Sequence, residues 1–310
     1  IGATGVSGMT AGRGTLGAGT ANTCSVDTAG NDLKCWGNNN AGQLGNSTTI
    51  TENEPKAASA PQRYVVATDT EVDTTWEAIQ EIAGGVDHMC VRSNTYVWCS
   101  GSNASGQIGD TSPYKDRTRF TRIDQTDIAS PRSLAAGANH TCVFATDGGG
   151  VERVFCWGAN GSGQLGNGSV VGPYVTGAAI SGNNFDNDTV RLAAGGDHTF
   201  ALSTTDNAIY CWGKNASGEI GIGTLSEAED TPTAITLMAG FVPTMIASGD
   251  NHNCAASSTQ VYCWGANNLG QLGNDEVSLS TVPMQVQGLP TSGITELRAA
   301  GAQTCAVVSG

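Results

Sequence analysis

Residues 254–273 read CAASSTQVYCWGANNLGQLG. Three residues on each side of a two-residue turn at Ser258-Thr259 separate Cys254 from Cys263, so a hairpin places the two cysteines directly opposite one another. The stretch that follows, rich in Gly and Asn, is typical of a tight turn that leaves the sheet. The segment therefore predicts two short antiparallel strands followed by a turn, and it shows no helical periodicity.

The same pattern repeats along the whole chain. Five segments carry it, and they begin at Cys35, Cys99, Cys156, Cys211 and Cys263. A second signature, in which small residues lead to His or a similar polar residue, precedes each segment and ends at Cys24, Cys90, Cys142, Phe200 and Cys254, with a sixth copy at Cys305. The copies recur about every 52–65 residues, a period that indicates a repeat architecture.

The repeat unit indicates the fold class. Each unit contains the hairpin, a polar loop and a short apolar run such as Leu134-Ala135-Ala136. Several short strands per unit are typical of an all-β protein built as a β-propeller, in which small antiparallel sheets pack face to face around an axis. We expect four-stranded antiparallel blades, six to seven in number.

The two signatures together resemble the repeat of the regulator of chromosome condensation family. That family shows a Gly-Gly-x-x-His-[Ser/Thr] strand followed by a Trp-Gly-x-Asn-x-x-Gly-Gln-Leu-Gly turn. The resemblance implies a β-propeller, commonly of seven blades, and leaves the function open, because this fold serves unrelated roles. The flanking cysteines depart from the nuclear member's pattern, which suggests a secreted, bacterial-type member stapled by disulfides.

We expect residues 1–310 to form a single propeller domain. Residues 1–17 are a glycine-rich lead-in or a closing strand, and repeats start near residues 18, 83, 136, 194, 248 and 300. Six strand signatures and five turn signatures are visible, so the last repeat is predicted to be truncated. The sequence alone does not say whether the chain is a fragment or how the ring closes.

The composition restricts the classes of partner that this chain can bind. Acidic residues number 28 against 14 basic ones, a net charge of −14, and such a chain repels nucleic-acid phosphates on average. No apolar run approaches the 18–20 residues or so of a membrane helix. We therefore expect a protein partner or self-association, no nucleic acid and no membrane span, with a glycan carried as a further partner class.

The ten cysteines indicate structural disulfides. Local pairing gives Cys24–Cys35, Cys90–Cys99, Cys142–Cys156 and Cys254–Cys263, and it leaves Cys211, which faces Phe200, and Cys305 unpaired. A competing scheme joins each C-W-G cysteine to the next repeat, for example Cys35–Cys90. Hairpin parity favours the local scheme. Disulfides persist in oxidising compartments, so we expect a secreted, cell-surface or periplasmic protein.

No catalytic constellation, metal site or cofactor motif is present in the sequence. The four histidines, His88, His140, His198 and His252, share one repeat position, which favours hydrogen bonding within or between blades over a reaction centre. The recurring Trp side chains are interpreted as packing between blades. We therefore expect no catalytic residues, no metal and no cofactor.

Candidate binding residues lie in variable segments, where a rigid scaffold commonly carries its binding sites. The long insertion from about residue 46 to residue 80 contains Trp76. The second inter-unit loop contains a basic run with Lys115, Arg117 and Arg119, which would share one face of a strand and could meet an acidic partner.

These observations favour an extracellular, non-enzymatic binding or structural module. The first hypothesis is adhesion, or a subunit of a surface assembly or filament. The alternative is a soluble protein-binding inhibitor or receptor domain that uses the propeller loops. Guanine-nucleotide exchange and a lectin role rank below these two.

Overall fold

A computed structural model describes residues 15–19, 21–27, 32–65, 70–110, 114–123, 128–179, 185, 190–275 and 278–309. The described part is all-β and contains no helix. Residues 1–14, most of the predicted lead-in, lie outside it. Residues 15–18 form the first strand, β1, and it pairs with the next strand of its blade.

The 24 strands form successive blades. Blade 1 contains β1 (Thr15–Ala18), β2 (Asn22–Val26), β3 (Leu33–Gly37) and β4 (Glu52–Ala57). Next come β5 (Gln62–Val65) and β6 (Thr70–Asp73), which join blade 2, formed by β7 (Glu81–Gly84), β8 (His88–Arg92), β9 (Val97–Gly101) and β10 (Arg117–Arg122).

The remaining blades follow the same plan. Blade 3 contains β11 (Ala129–Ala136), β12 (His140–Thr146), β13 (Glu152–Gly158) and β14 (Tyr174–Ala179). Blade 4 contains β15 (Val190–Ala194), β16 (His198–Ser203), β17 (Ile209–Lys214) and β18 (Ala228–Ala234). Blade 5 contains β19 (Met245–Ser248), β20 (His252–Ala256), β21 (Val261–Ala266) and β22 (Leu279–Gln285), and a two-stranded sheet contains β23 (Ile294–Ala300) and β24 (Gln303–Val308).

The first strand of each blade lies toward the axis. β1, β7, β11, β15, β19 and β23 contact one another in that order, each touching the next. The sequence therefore predicts the blade architecture, but the predicted repeat starts fall near the ends of these inner strands rather than at their beginnings. The glycine that precedes each histidine by three residues follows the inner strand, so each blade begins several residues earlier.

The core lies between blades rather than within them. One buried cluster combines Val97 and Ile108 of blade 2 with Phe155 and Trp157 of blade 3. The middle strands β8 and β9 are almost wholly buried on both faces, because each blade is covered by its neighbours. Apolar burial at these interfaces stabilises the ring of sheets.

Four disulfides join the two middle strands of a blade. They link Cys24–Cys35, Cys90–Cys99, Cys142–Cys156 and Cys254–Cys263. In each case the two cysteines are direct register partners with Cα atoms 4.1 Å apart, as expected for opposed residues in an antiparallel pair. The structure thus contains the local scheme and not the scheme that joins neighbouring repeats.

Blade 2 is wider than the others. The insertion after blade 1 forms the hairpin β5–β6, and β5 pairs in parallel with β10 to give a six-stranded sheet. The insertion predicted as a variable loop therefore contributes the outer strand of blade 1 and a hairpin along the outer edge of blade 2.

Candidate functional site

Successive blades are linked by a repeated hydrogen-bond relay. At the interface of blades 2 and 3, His88 Nε2 lies 3.0 Å from Thr141 Oγ1, which donates to the carbonyl of Gln107. The indole of Trp157 donates to the same carbonyl at 2.9 Å. Both the histidine and the carbonyl belong to blade 2, and Thr141 and Trp157 belong to blade 3, so the relay joins the two blades.

The relay recurs at the next two interfaces. The His–Thr or His–Asn contacts are His140–Thr199 and His198–Asn253, and a fourth, His252–Thr304, reaches the last sheet. Trp212 and Trp264 donate to the carbonyls of Gln164 and Glu219. The residues predicted to hydrogen bond or pack between blades therefore do so in the structure.

The histidines are held neutral. Because Thr141 Oγ1 gives its proton to a carbonyl, His88 Nε2 is the donor in their contact, and Nδ1 of each of the four rings has no hydrogen-bond partner among the described residues. Burial lowers the pKa of His88, His198 and His252 to about 4, and that of His140 to about 3. A buried ring without a countercharge cannot easily accept a second proton.

The glycine before each histidine is explained by this ring. A Cβ at Gly137 would lie 2.1 Å from His140 Cε1 and 2.6 Å from the carbonyl oxygen of Gly195 in the next blade. Only a residue without a side chain leaves room for both contacts. The Gly-x-x-His spacing of the repeat is therefore a packing requirement.

Blade 2 satisfies the relay with different residues. Ser100 stands where the other blades have Trp, and its hydroxyl donates to the carbonyl of Gln43 at 3.0 Å. Trp98, two residues earlier, instead packs edge-on against Trp76, with ring centroids 5.6 Å apart. The hydrogen bond across the interface is kept although the large ring has moved two residues toward the start of the strand.

A second link connects each turn to the next blade. Gln43 and Gln164 donate through Nε2 to Asp87 and Asp197, both at 3.2 Å. Blade 4 has Glu219 at this position, and Lys214 supplies the donor instead, 2.8 Å from Asn251 Oδ1. Burial raises the pKa of Glu219. The interface tolerates Glu in place of Gln because the Lys214 ammonium replaces the Gln amide as the hydrogen-bond donor.

Backbone hydrogen bonds join neighbouring inner loops near the axis. Val86 N donates to Ala138 O, Ala138 N to Gly196 O and Gly196 N to Asp250 O, at 2.9–3.2 Å. Below them lies an axial cavity of about 630 Å³ that is lined by the inner strands and also by the arginines Arg92, Arg132, Arg191 and Arg298. The blades are therefore joined at the axis as well as through their cores.

Most residues of the predicted basic run form ion pairs within the chain. Arg117 is 1% exposed and forms ion pairs with Asp110 and Glu71. Arg119 pairs with Asp73 at 2.8 Å and donates to the carbonyl of Ala60. Both acidic partners on β6 come from the insertion. Burial thus removes Arg117 from the predicted binding set, because a buried guanidinium cannot reach a partner.

Two other predicted residues differ in exposure. Trp76 is half-buried and packs edge-on against Phe120, with centroids 5.5 Å apart, so it belongs to the core between blades 1 and 2. Lys115 is 63% exposed and lies 3.6 Å from Glu71. Of the four predicted residues, Lys115 alone keeps its charged group at the surface.

The two unpaired cysteines differ in environment. Cys211 is buried opposite Phe200, its register partner, and burial raises the pKa of its thiol well above the usual range. Cys305 is exposed on β24. Phe200 replaces the first cysteine of the blade 4 hairpin, so the core there is closed by an aromatic ring that packs on Trp264.

The loops at the two ends of the strands form two faces. One end, which we call the turn face, carries the loops that follow the third strand of each blade, and the described residues of these loops are 38–51, 102–110, 114–116, 159–173, 215–227, 267–275 and 278. It also carries the inner loops with Asp87, Asp197 and Asp250. The opposite end, which we call the hairpin face, carries the tight hairpins between the second and third strands of each blade, such as the one at Ser258-Thr259.

A buried asparagine organises each loop of the turn face. Asn39 accepts from Leu44 N through Oδ1 and donates through Nδ2 to the carbonyl of Ile50, 11 residues further on. Asn160 does the same with Leu165 and Val171. The sequence signal was visible as a recurring Asn, but its long reach was not, because a local turn would satisfy the same residue.

Among the described residues, no group of three or more His, Cys, Asp or Glu side chains is arranged to hold a metal ion. The described residues also include no helix that is long and apolar enough to cross a membrane.

Comparison with known proteins identifies the class. A family model described as "Regulator of chromosome condensation (RCC1) repeat" matches residues 35–91, 152–202, 206–256 and 259–308, and a second model of the same description matches residues 132–164, 190–219 and 246–271. The chain therefore belongs to the RCC1 repeat family, whose members share the blade signature derived above.

Individual relatives agree with this assignment. The chain is 26% identical over 294 residues to the ultraviolet-B receptor UVR8 of Arabidopsis thaliana, a match that covers 92% of this chain and 61% of UVR8. It is 30% identical over 213 residues to the human probable E3 ubiquitin-protein ligase HERC4, covering 68% of this chain and 19% of HERC4. The chain thus spans less than two thirds of the length of either relative.

Solved structures show the same fold. Human WBSCR16 superposes with a TM-score of 0.75 at 19% identity, covering 96% of this chain and 73% of that one. Prp20p of Saccharomyces cerevisiae, described together with its binding to Gsp1p and histones, gives 0.71 at 19% identity, covering 94% of this chain and 67% of that one.

Proposed function

We propose that this chain is an extracellular or periplasmic protein-binding propeller that acts without enzymatic chemistry of its own. The observation that carries the proposal is the division of labour within each repeat. His, Thr, Trp and Gln hold neighbouring blades together, and the loops of the turn face are left as rigid, variable surface. Binding sites commonly sit on such loops.

The disulfides support the compartment. Four bridges join strands that are already paired, and such bridges persist where the surroundings are oxidising. The comparisons support the mode of action, since Prp20p, one of the proteins with this fold, is described with protein partners.

The experiment uses the intact chain as bait. Affinity capture from the secreted or periplasmic proteins of the source cell, followed by purification of the captured protein and a titration with the two pure components, should give a saturable complex. Absence of any saturable complex with purified candidates would contradict the proposal. Trimming residues 46–80 is not a suitable test, because it would remove strands of blades 1 and 2.

Two further roles make different predictions. Adhesion or assembly into a filament predicts concentration-dependent growth of the light-scattering mass of the pure protein. Nucleotide exchange predicts faster release of a fluorescent nucleotide from a small GTPase. Growth of the scattering mass would favour the assembly role over the binding of a different protein, and we expect no acceleration of nucleotide release.

A further inference from the structure

Each of the five complete blades places on the turn face one large apolar side chain that is more than half exposed, and Val170, 49% exposed, lies beside the one of blade 3. We call this set the apolar crown: Ile50, Tyr114, Val171, Leu225 and Leu269. Their side chains are between 53% and 78% exposed. Large apolar side chains concentrated on one face mark an interaction site more often than single ones scattered over a surface.

The crown is held in place rather than left on loose loops. The buried amides of Asn39 and Asn160 donate to the backbone carbonyls of Ile50 and Val171, at 3.0 and 2.9 Å. In blade 4, Asn215 donates to Thr224 O and Ser226 Oγ, the residues on either side of Leu225. A surface fixed in this way loses little conformational entropy when a partner binds.

Folding does not require these apolar residues. The crown position of Ile50 and Val171 is occupied by Ser226 and Ser278 in blades 4 and 5, and that of Leu269 by Ser105, Ser162 and Ser217 in blades 2–4. Leu225 corresponds to Thr49 of blade 1 and to Val170 of blade 3. The repeat therefore folds with small polar residues at the same positions, and the apolar ones serve something outside the blade.

The charge around the crown favours a basic partner. Asp250, Glu227 and Asp275 are exposed on the turn face, beside Asp87 and Asp197 of the inner loops. Of the lysines in or next to these loops, Lys115 is exposed but lies 3.6 Å from Glu71, and Lys214 is bonded to Asn251. Because exposed carboxylates attract cationic surfaces and repel acidic ones, charge complementarity selects the partner.

We propose that the turn face is the partner-binding surface and that its partner is a protein segment with apolar side chains flanked by Lys or Arg. The apolar crown contacts the apolar side chains, and the surrounding carboxylates pair with the cations. This inference rests on the proposed protein-binding function and deepens it by naming the surface and the chemistry of the partner.

The test uses a 14-residue amphipathic peptide of Lys and Leu, labelled for fluorescence anisotropy. We expect saturable binding to the full chain that weakens as salt rises. A Glu/Leu peptide and a Lys/Ser peptide should bind at least tenfold more weakly. Equal binding of the Glu/Leu peptide would overturn the charge argument, and equal binding of the Lys/Ser peptide would overturn the role of the crown.

The matched variants follow from the repeat itself. The variant I50S/V171S/L225T/L269S introduces residues that other blades carry at equivalent positions. It should lower the affinity for the Lys/Leu peptide at least tenfold. The control M238S/V242S removes two equally exposed apolar residues from the connection between blades 4 and 5 on the hairpin face, and binding should stay within twofold. The reverse result would place the site on the hairpin face.

The inference and the proposed function fail separately. A captured protein that binds the crown variant as well as the original chain would overturn the surface and leave the protein-binding function standing. Self-association of the original chain in sedimentation, lost in the crown variant, would show that a second copy occupies the crown and would overturn the basic-partner assignment.

Discussion

The residues of the blade interfaces and those of the turn-face loops lie a few positions apart in each repeat. Substitutions between blades preserve the chemistry of the interfaces but not that of the loops. At the interfaces, substitutions keep the hydrogen bond: Ser100 replaces Trp and still donates to Gln43, and Asn253 replaces Thr and still accepts from His198. On the turn face, equivalent positions hold Ile50, Tyr114 and Ser226. The interfaces are therefore constrained by folding, whereas the crown is free of that constraint.

The largest effect is expected at the buried ion pair of blade 2. Asp110→Asn leaves the buried Arg117 with less countercharge, and we expect a loss of about 3–5 kcal/mol in the free energy of unfolding, measured by urea titration. The double variant D110N/R117Y copies the Asn167 and Tyr174 of blade 3 and should recover most of the loss. A single variant as stable as the original chain would contradict the role of this pair.

A disulfide contributes the next largest amount. Replacing Cys142 and Cys156 by Ala opens a loop of 14 residues, which should lower the free energy of unfolding by about 3 kcal/mol. Blade 4 lacks a bridge at the same place, so Cys211→Ala is the matched control and should cost much less. If the two changes cost the same, the bridge adds nothing beyond packing.

The histidine relay makes stability depend on pH. The folded rings take up protons only near pH 4 or below, whereas unfolded histidines do so near pH 6.5. Between these values the unfolded chain binds more protons, so stability is fully present above about pH 6.5 and falls as the pH is lowered, by up to about 1.4 kcal/mol per pH unit for each histidine.

Urea unfolding at pH 7, 6 and 5 measures this slope. His140→Gln keeps a donor for Thr199 and removes one titrating group, and the last repeat itself carries Gln303 at the histidine position. The slope of the free energy of unfolding between pH 6 and 5 should therefore fall by the contribution of one histidine. An unchanged slope would mean that His140 titrates normally in the folded protein.

A smaller effect is expected where blade 2 departs from the pattern. Ser100→Ala removes the donor to the Gln43 carbonyl and should cost about 1 kcal/mol. Ser105→Ala is the matched control, because Ala41 occupies the equivalent position of blade 1, and its cost should be near zero. Equal costs would show that the serine hydroxyl does not replace the indole.

Most of the fold can be predicted from the sequence repeat and from the number of residues between the paired cysteines of each hairpin. The two residues between matched triplets place Cys90 opposite Cys99, and the recurring Gly and His mark the interface. These features are local, so spacing alone reveals them. The blade architecture and the role of His and Trp between blades are predicted in this way.

The surface could not be predicted as well. Arg117 looks exposed in the sequence because its partner Glu71 lies on an inserted hairpin that reaches blade 2 through a parallel pairing of β5 with β10. Local patterns do not encode that contact. A hint existed in Asp110, which replaces the Asn of blades 1, 3 and 5 and so signals a nearby cation.

The central claim is that the interfaces hold the fold and the turn face holds the partner. The most direct test measures both properties on I50S/V171S/L225T/L269S. We predict a free energy of unfolding that stays within about 0.5 kcal/mol per substitution together with an at least tenfold weaker complex with the Lys/Leu peptide. A variant that unfolds readily, or one that binds the peptide unchanged, would contradict the claim.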